Sequence, residues 1–302
     1  MHSRQMAYDH SAFLAGIAGM LSEADIAIAG AEFTLAGPPY TGYPAFSAPD
    51  GYLKSITDAG VDVLLTANNH ILDKGAEGFE RTLKQYACFT GSGLDDAQYR
   101  RNNPLILNAK GIRIALVNFT YGTNFYGDFR YPRLSRMQKK EIAVQMHRAR
   151  NSADFVIVLP HWGEEYVLTH SAKQQEWAEW LVEQGADAII GAHPHVVQDT
   201  THIAGVPVVY SLGNAVSNMS ATNTRLELAA KLKLVKRADG TTELIGPELV
   251  FLWCNLPGTR TANYTTIAVD EWIGRRSEWI DARDYDNMIS TLDRVKKATG
   301  IE

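Results

Sequence analysis

The sequence is poor in most features that would mark a specialised surface or a crosslinked frame. It has two cysteines in 302 residues, Cys88 and Cys254, far apart and in no metal-type pair, which reads as buried free thiols rather than a disulfide. No apolar stretch approaches the roughly 20 residues that cross a bilayer. The N-terminal Met1-His2-Ser3-Arg4-Gln5 is polar, with no signal-peptide core. Basic charge is in deficit: 29 Lys and Arg against 34 Asp and Glu leave a net −5, with a pI near 6.0. That balance, without any basic run interleaved with aromatics, argues against a nucleic-acid or anionic-membrane surface. Internal repeats, low-complexity tracts and long linkers are missing too. What remains is an ordinary globular composition, 45% hydrophobic and 21% charged, in a chain long enough for one large α/β domain or two smaller ones.

What is present is one local grammar used four times. In Asp187-Ala-Ile-Ile-Gly-Ala-His-Pro-His195 an apolar run ends in glycine and two histidines follow. Such runs read as buried parallel strands. Ligands in open α/β sheets bind beyond the carboxyl ends of those strands. Pro194 fixes its own φ and disfavours the helical region for His193, which stiffens the turn. Val61-Asp-Val-Leu-Leu-Thr-Ala-Asn-Asn-His70 ends in Asn68, Asn69 and His70, with Asp73 just beyond. Asp154-Phe-Val-Ile-Val-Leu-Pro-His161-Trp-Gly-Glu-Glu165 repeats the pattern, and Asp25-Ile-Ala-Ile-Ala-Gly-Ala-Glu32 closes it with a carboxylate. Neutral imidazoles so placed are good ligands for Zn, Mn or Fe.

Helical and strand patterns alternate: helix 10–22, strand 25–29, helix 50–59, strand 61–66 and helix 75–87. Two strands then flank Asn108-Ala-Lys-Gly111, and helix 137–150, strand 154–159, helix 171–184 and strand 187–191 follow. This order predicts βαβ units and a largely parallel core. After His195 the character turns antiparallel. A hairpin forms around Ala204-Gly205, strands at 226–236 and 243–253 are joined by Ala238-Asp-Gly240, and a strand lies at 264–269. A terminal amphipathic helix covers 286–299. The Gly- and Pro-rich stretch Leu35 to Pro49 reads as a loop over the strand ends.

Four stretches in order carry a family resemblance: Thr66-Ala-Asn-Asn-His-Ile-Leu-Asp-Lys-Gly75, Leu159-Pro-His-Trp-Gly-Glu-Glu-Tyr166, Gly185-Ala-Asp-Ala-Ile-Ile-Gly-Ala-His-Pro-His-Val-Val-Gln198 and Val209-Tyr-Ser-Leu-Gly-Asn214. They resemble the bacterial capsule-synthesis proteins of the CapA type, the poly-γ-glutamate biosynthesis family, over roughly residues 1–255. Residues 256–302 then form a C-terminal extension whose terminal helix packs on the same domain. The resemblance implies a metallophosphoesterase-like four-layer α/β/β/α sandwich. It implies that Asn69, His161 and His193 hold one divalent transition metal (Mn, Zn or Fe) and that His195 and Glu32 face a second. His70 would be the general acid or would stabilise the transferred group, with Asp73 orienting it. Two cations about 3.5–4 Å apart polarise an electrophile and generate hydroxide near neutral pH.

The chain departs from the family in two places. Members begin with a motif of the form G-D-x-M-x-H whose Asp is a ligand, and Met1-His2-Ser3-Arg4-Gln5 looks like its tail. The family's Asn-Leu-Glu is here Gly30-Ala31-Glu32. The expectation is therefore at most one tightly held metal, with the His195 and Glu32 side weak. Substrate contacts are expected from Asn68, Trp162 and Glu164, although Asn68 also suits a turn, Trp162 is more often a packing aromatic and Glu164 with Glu165 also suits a helix start. Ser211 and Asn214 suit a strand end, and Tyr40, Tyr43 and Phe46 a lid loop. By resemblance the protein serves capsule or poly-γ-glutamate synthesis by metal-assisted hydrolysis or transfer on an anionic polymer or its precursor, alongside the capsule machinery. The alternatives are a non-catalytic polymer-binding or assembly subunit and a small-molecule phosphodiesterase. The family works mostly in the cell envelope.

Overall fold

Period-two burial builds the centre of the protein. In the computed structural model, which describes residues 8–302, the first sheet is wholly parallel, with β1 (Ile28–Gly30), β2 (Val63–Leu65) and β3 (Phe89–Thr90) in that order. A short ribbon pairs β4 (Ser92–Gly93) with β7 (Arg133–Leu134). The main sheet contains β5 (Leu105–Ala109), β6 (Ile112–Thr120), β8 (Phe155–His161), β9 (Ala188–Ile190), β10 (Thr200–Ile203) and β11 (Val206–Val209). Its order is β10-β11-β9-β8-β6-β5, parallel at the centre and antiparallel at both edges. A third, antiparallel sheet joins β12 (Leu226–Lys236), β13 (Thr242–Asn255) and β14 (Thr265–Ala268).

The helices are α1 (Ala18–Glu23), α2 (Asp50–Asp58), α3 (Gly75–Gln85), α4 (Asp96–Asn102), α5 (Lys139–Ser152), α6 (Ala172–Glu183) and α7 (Ala282–Thr299). Alternate side chains of β6 and β8 decide the layers. Val117, Phe119, Val156 and Val158 pack on Ile142 and Met146 of α5 and Trp177 and Leu181 of α6. Leu116, Phe155, Ile157 and Leu159 point the other way, onto Val63, Ile28 and Leu65 of the first sheet and Leu232, Leu234 and Leu244 of the third. Beyond these, α2 and α3 cover the first sheet through Ile56, Phe79 and Leu83. Helix α7 covers the third through Met288, Leu292 and Val295 on Phe251 and Trp253. The layers run α/β/β/α. Helix α7 is also pinned by a buried bidentate pair, Arg225 to Asp284 at 2.7 and 2.8 Å, with the guanidinium over Trp253.

Two elements differ from the sequence pattern. The helix predicted over 10–22 splits into a 3-10 turn, His10–Ala12, and α1. The backbone between them serves the third sheet instead: Phe13 O accepts from Thr266 N. Gly16 lies so close that an added Cβ would sit 2.4 Å from Thr266 O. Helix α4 has no apolar period and was missed; it is started by Asp95, whose side chain accepts from Gln98 N. Met1-His2-Ser3-Arg4-Gln5, read above as the tail of a motif, lies outside the described residues.

Candidate metal centre

The carboxyl ends of β1, β2, β8 and β9 come from two sheets and deliver their polar residues to one place. His161 is the last residue of β8, and its neighbour Trp162 N donates to Ala192 O in the turn after β9. That turn starts at Gly191, where a Cβ would meet Tyr210 O at 2.2 Å and Trp162 Nε1 at 2.5 Å, so only glycine lets the strands close up. His193 and His195 then adopt φ 105° and φ 59° on either side of Pro194. Positive φ at two non-glycine residues marks a strained turn held by its surroundings.

The donor atoms converge. Nε2 of His161 is 2.7 Å from Asn69 Oδ1 and 3.6 Å from Glu32 Oε1. Nε2 of His195 is 3.8 Å from the same Glu32 oxygen. Two groups of three ligands result, Glu32–His161–His193 and Glu165–His193–His195, each with its atoms within 4.8 Å of one another. His193 belongs to both, and Glu32 lies between His161 and His195. Two donors roughly 2.1 Å from one cation sit roughly 3–3.5 Å apart, so the 3.6 and 3.8 Å separations about Glu32 are close to what a shared ion needs, while Asn69 Oδ1 accepts from His161 Nε2. Glu32 Oε1 and His193 Nδ1 are buried without any hydrogen-bond partner, and buried polar atoms are rarely left so. The residues present fit a divalent cation.

The electrostatics point the same way. Burial lowers the pKa of His161 well below its ordinary value, and the other imidazoles add to the effect. Burial with the charges of His195 and His70 takes His193 down to about 3. Both rings are therefore neutral ligands near pH 7. Burial raises Glu32, against the pull of His195 and His70. His195 Nδ1 is 2.8 Å from Asn214 Oδ1, which accepts its proton and leaves Nε2 free to face the site.

His70 is built differently. Its Nδ1 is 2.8 Å from Asp73 Oδ2, which also accepts from Phe46 N, and the Phe46 ring stands against the imidazole at 4.6 Å. Burial works against the charged ring, but the Asp73 hydrogen bond and the charges of Asp73, Glu32 and Glu165 outweigh it and raise the pKa. The loop Leu35 to Pro49 thus reaches the centre through Phe46, while Tyr43 is exposed.

Of the three expected substrate contacts, Trp162 and Asn68 turn inward and Glu164 stays at the surface. Trp162 is fully buried in the main core and spends Nε1 on Tyr210 O, so it has no face to offer a ligand. Asn68 is buried, with Nδ2 donating to Ala31 O and Oδ1 accepting from His70 N, which makes it the hinge of the His70 turn. Glu164 is exposed and belongs to neither ligand group; its neighbour Glu165 does. The sequence reading also passed over Tyr121, whose ring lies 4.5 Å from that of His193, and Asn124. Asn124 N donates to Asn69 O, and its Nδ2 is 3.3 Å from His70 Nε2. Both follow the end of β6, which obeys the same strand-end rule as the four segments that were recognised.

Fold and site define an α/β sandwich protein with a strand-end cluster suited to a cation. Residues 1–219 match the family described as bacterial capsule synthesis protein PGA_cap, and the chain belongs to that family. It is 33% identical over 189 residues to the capsule biosynthesis protein CapA of Bacillus anthracis, covering 59% of this chain and 46% of that protein. It is 30% identical over 200 residues to the PGA biosynthesis protein CapA of Bacillus subtilis, covering 64% and 52%. A probable polyglutamine synthesis accessory protein of Mycobacterium tuberculosis is 22% identical over 205 residues, covering 62% and 53%. The chain spans about half the length of these relatives.

Proposed function

We propose that this protein is a metal-dependent hydrolase or transferase that acts on an anionic polymer, or its precursor, in capsule or poly-γ-glutamate synthesis. The observation that carries the reading is the pair of buried, unpartnered donor atoms, Glu32 Oε1 and His193 Nδ1, in a cluster with His161. Asn69, His161 and His193 would hold the cation, with Glu32 shared toward His195. A bound divalent cation supplies Lewis-acid polarisation of a carbonyl or phosphoryl oxygen. His70 stands beside it with Nδ1 fixed by Asp73. Its raised pKa favours the protonated ring, as a donor to a leaving group requires. Tyr121 packs its ring beside His193 and Phe46 beside His70. The names of the relatives support the polymer context.

The test is to incubate the protein with Mn²⁺ and poly-γ-glutamate and follow chain length. The wild type is expected to change the length distribution, and His70→Ala to slow that change by roughly 10²-fold or more. Polymer that binds but keeps its length with the wild type would contradict the catalytic part of the proposal.

A further inference from the structure

A polar groove shares its wall with the segment that follows His70, and its charges do not balance. The groove of about 400 Å³ has Leu72, Phe79 and Phe129 among its lining residues, together with three arginines and two acids. Arg130 is 3.2 Å from Asp96 and Arg133 is 3.0 Å from Glu141, so two guanidiniums are matched at the wall. The Arg136 residue is half-buried, and its side chain makes no hydrogen bond or ion pair among the described residues. Its guanidinium carries five donors, and the residue lines the groove.

The backbone ties this arginine to the centre. Arg136 forms a β-bridge with Thr120, and the next residue, Tyr121, donates its N–H to His161 O and packs its ring on His193. Leu72, on the groove wall, lies two residues after His70. The groove and the centre are thus joined along the chain through Thr120 and Tyr121 and through His70 to Leu72. A planar carboxylate matches the guanidinium fork.

We infer that the groove around Arg136 is a carboxylate subsite that holds an acidic unit of the polymer adjacent to the one at the centre. This rests on the polymer reading above and names the residue that selects for acidic over neutral chains. The experiment titrates a labelled short oligo-γ-glutamate, and an oligo-γ-glutamine of equal length, into wild type, Arg136→Gln and Arg136→Lys, with metal content measured in parallel. The acidic oligomer should bind wild type with salt-sensitive affinity and Arg136→Gln roughly tenfold more weakly. Arg136→Lys should recover part of the loss, and the neutral oligomer should not tell the variants apart. Equal affinity of wild type and Arg136→Gln for the acidic oligomer overturns the subsite. So does tighter competition by inorganic phosphate than by glutamate, or loss of metal in Arg136→Gln. His161→Ala and His193→Ala separate the two ideas. If they keep metal while Arg136→Gln loses affinity, the centre is misassigned and the subsite stands; the opposite pattern removes the subsite alone.

Discussion

At His193 the backbone holds φ 105°, a conformation that L side chains rarely adopt. The ring is buried beside His161 and Tyr121, so the local cost is tolerated where the donor atom is needed, as strain at functional sites commonly is. Comparing His193→Ala with His193→Gly isolates this cost, because both delete the ring and only glycine relaxes the backbone. The glycine variant should be more stable than the alanine variant by about 1 kcal/mol in chemical denaturation of metal-free protein. Equal midpoints would remove the strain argument. At this scale the sequence was informative about residue type and poor about direction. His70, His161, His193, His195, Asn69 and Glu32 converge as their strand-end positions suggested. Trp162 and Asn68 share those strand ends yet turn inward, because the backbone acceptors Tyr210 O and Ala31 O lie there. Nothing local to either residue announces such long-range partners.

Among the elements, the parallel strands were legible because apolar runs closed by polar residues have few other readings. Residues 10–22 were not, since their helical periodicity competes with the free edge of β14 and the edge wins through Thr266. Strand β12 carries the clearest element-scale consequence. It buries Glu227, whose two carboxylate oxygens have no hydrogen-bond partner, on a face near Tyr52 and Cys254. Burial drives its pKa well above the ordinary 4.5, so the folded state keeps a proton that the unfolded chain releases. The folded state therefore binds more protons between the two values, and stability falls as pH rises through that window. Its contribution is fully present below about pH 4.5. Glu227→Gln should flatten this slope and raise stability at neutral pH, measured as denaturation midpoints from pH 4 to 8. A wild-type slope unchanged in the variant would contradict the assignment.

Over the whole molecule, the two inner sheets of the sandwich do what neither could do alone. Glu32 and Asn69 come from the first sheet's strand ends, while His161, His193 and His195 come from the main sheet. The site exists only where the inter-sheet core of Val63, Leu116, Ile157 and Ile190 holds the two edges in register. This convergence was inferable from strand order and topology, whereas the sharing of Glu32 between His161 and His195 needed coordinates. The central claim is that this shared edge binds a cation, and metal stoichiometry tests it most directly. Wild type reconstituted with Mn²⁺ or Zn²⁺ and freed of excess should retain bound metal, and His161→Ala and His193→Ala should retain essentially none while keeping wild-type circular dichroism. Undiminished metal in both variants would contradict the account.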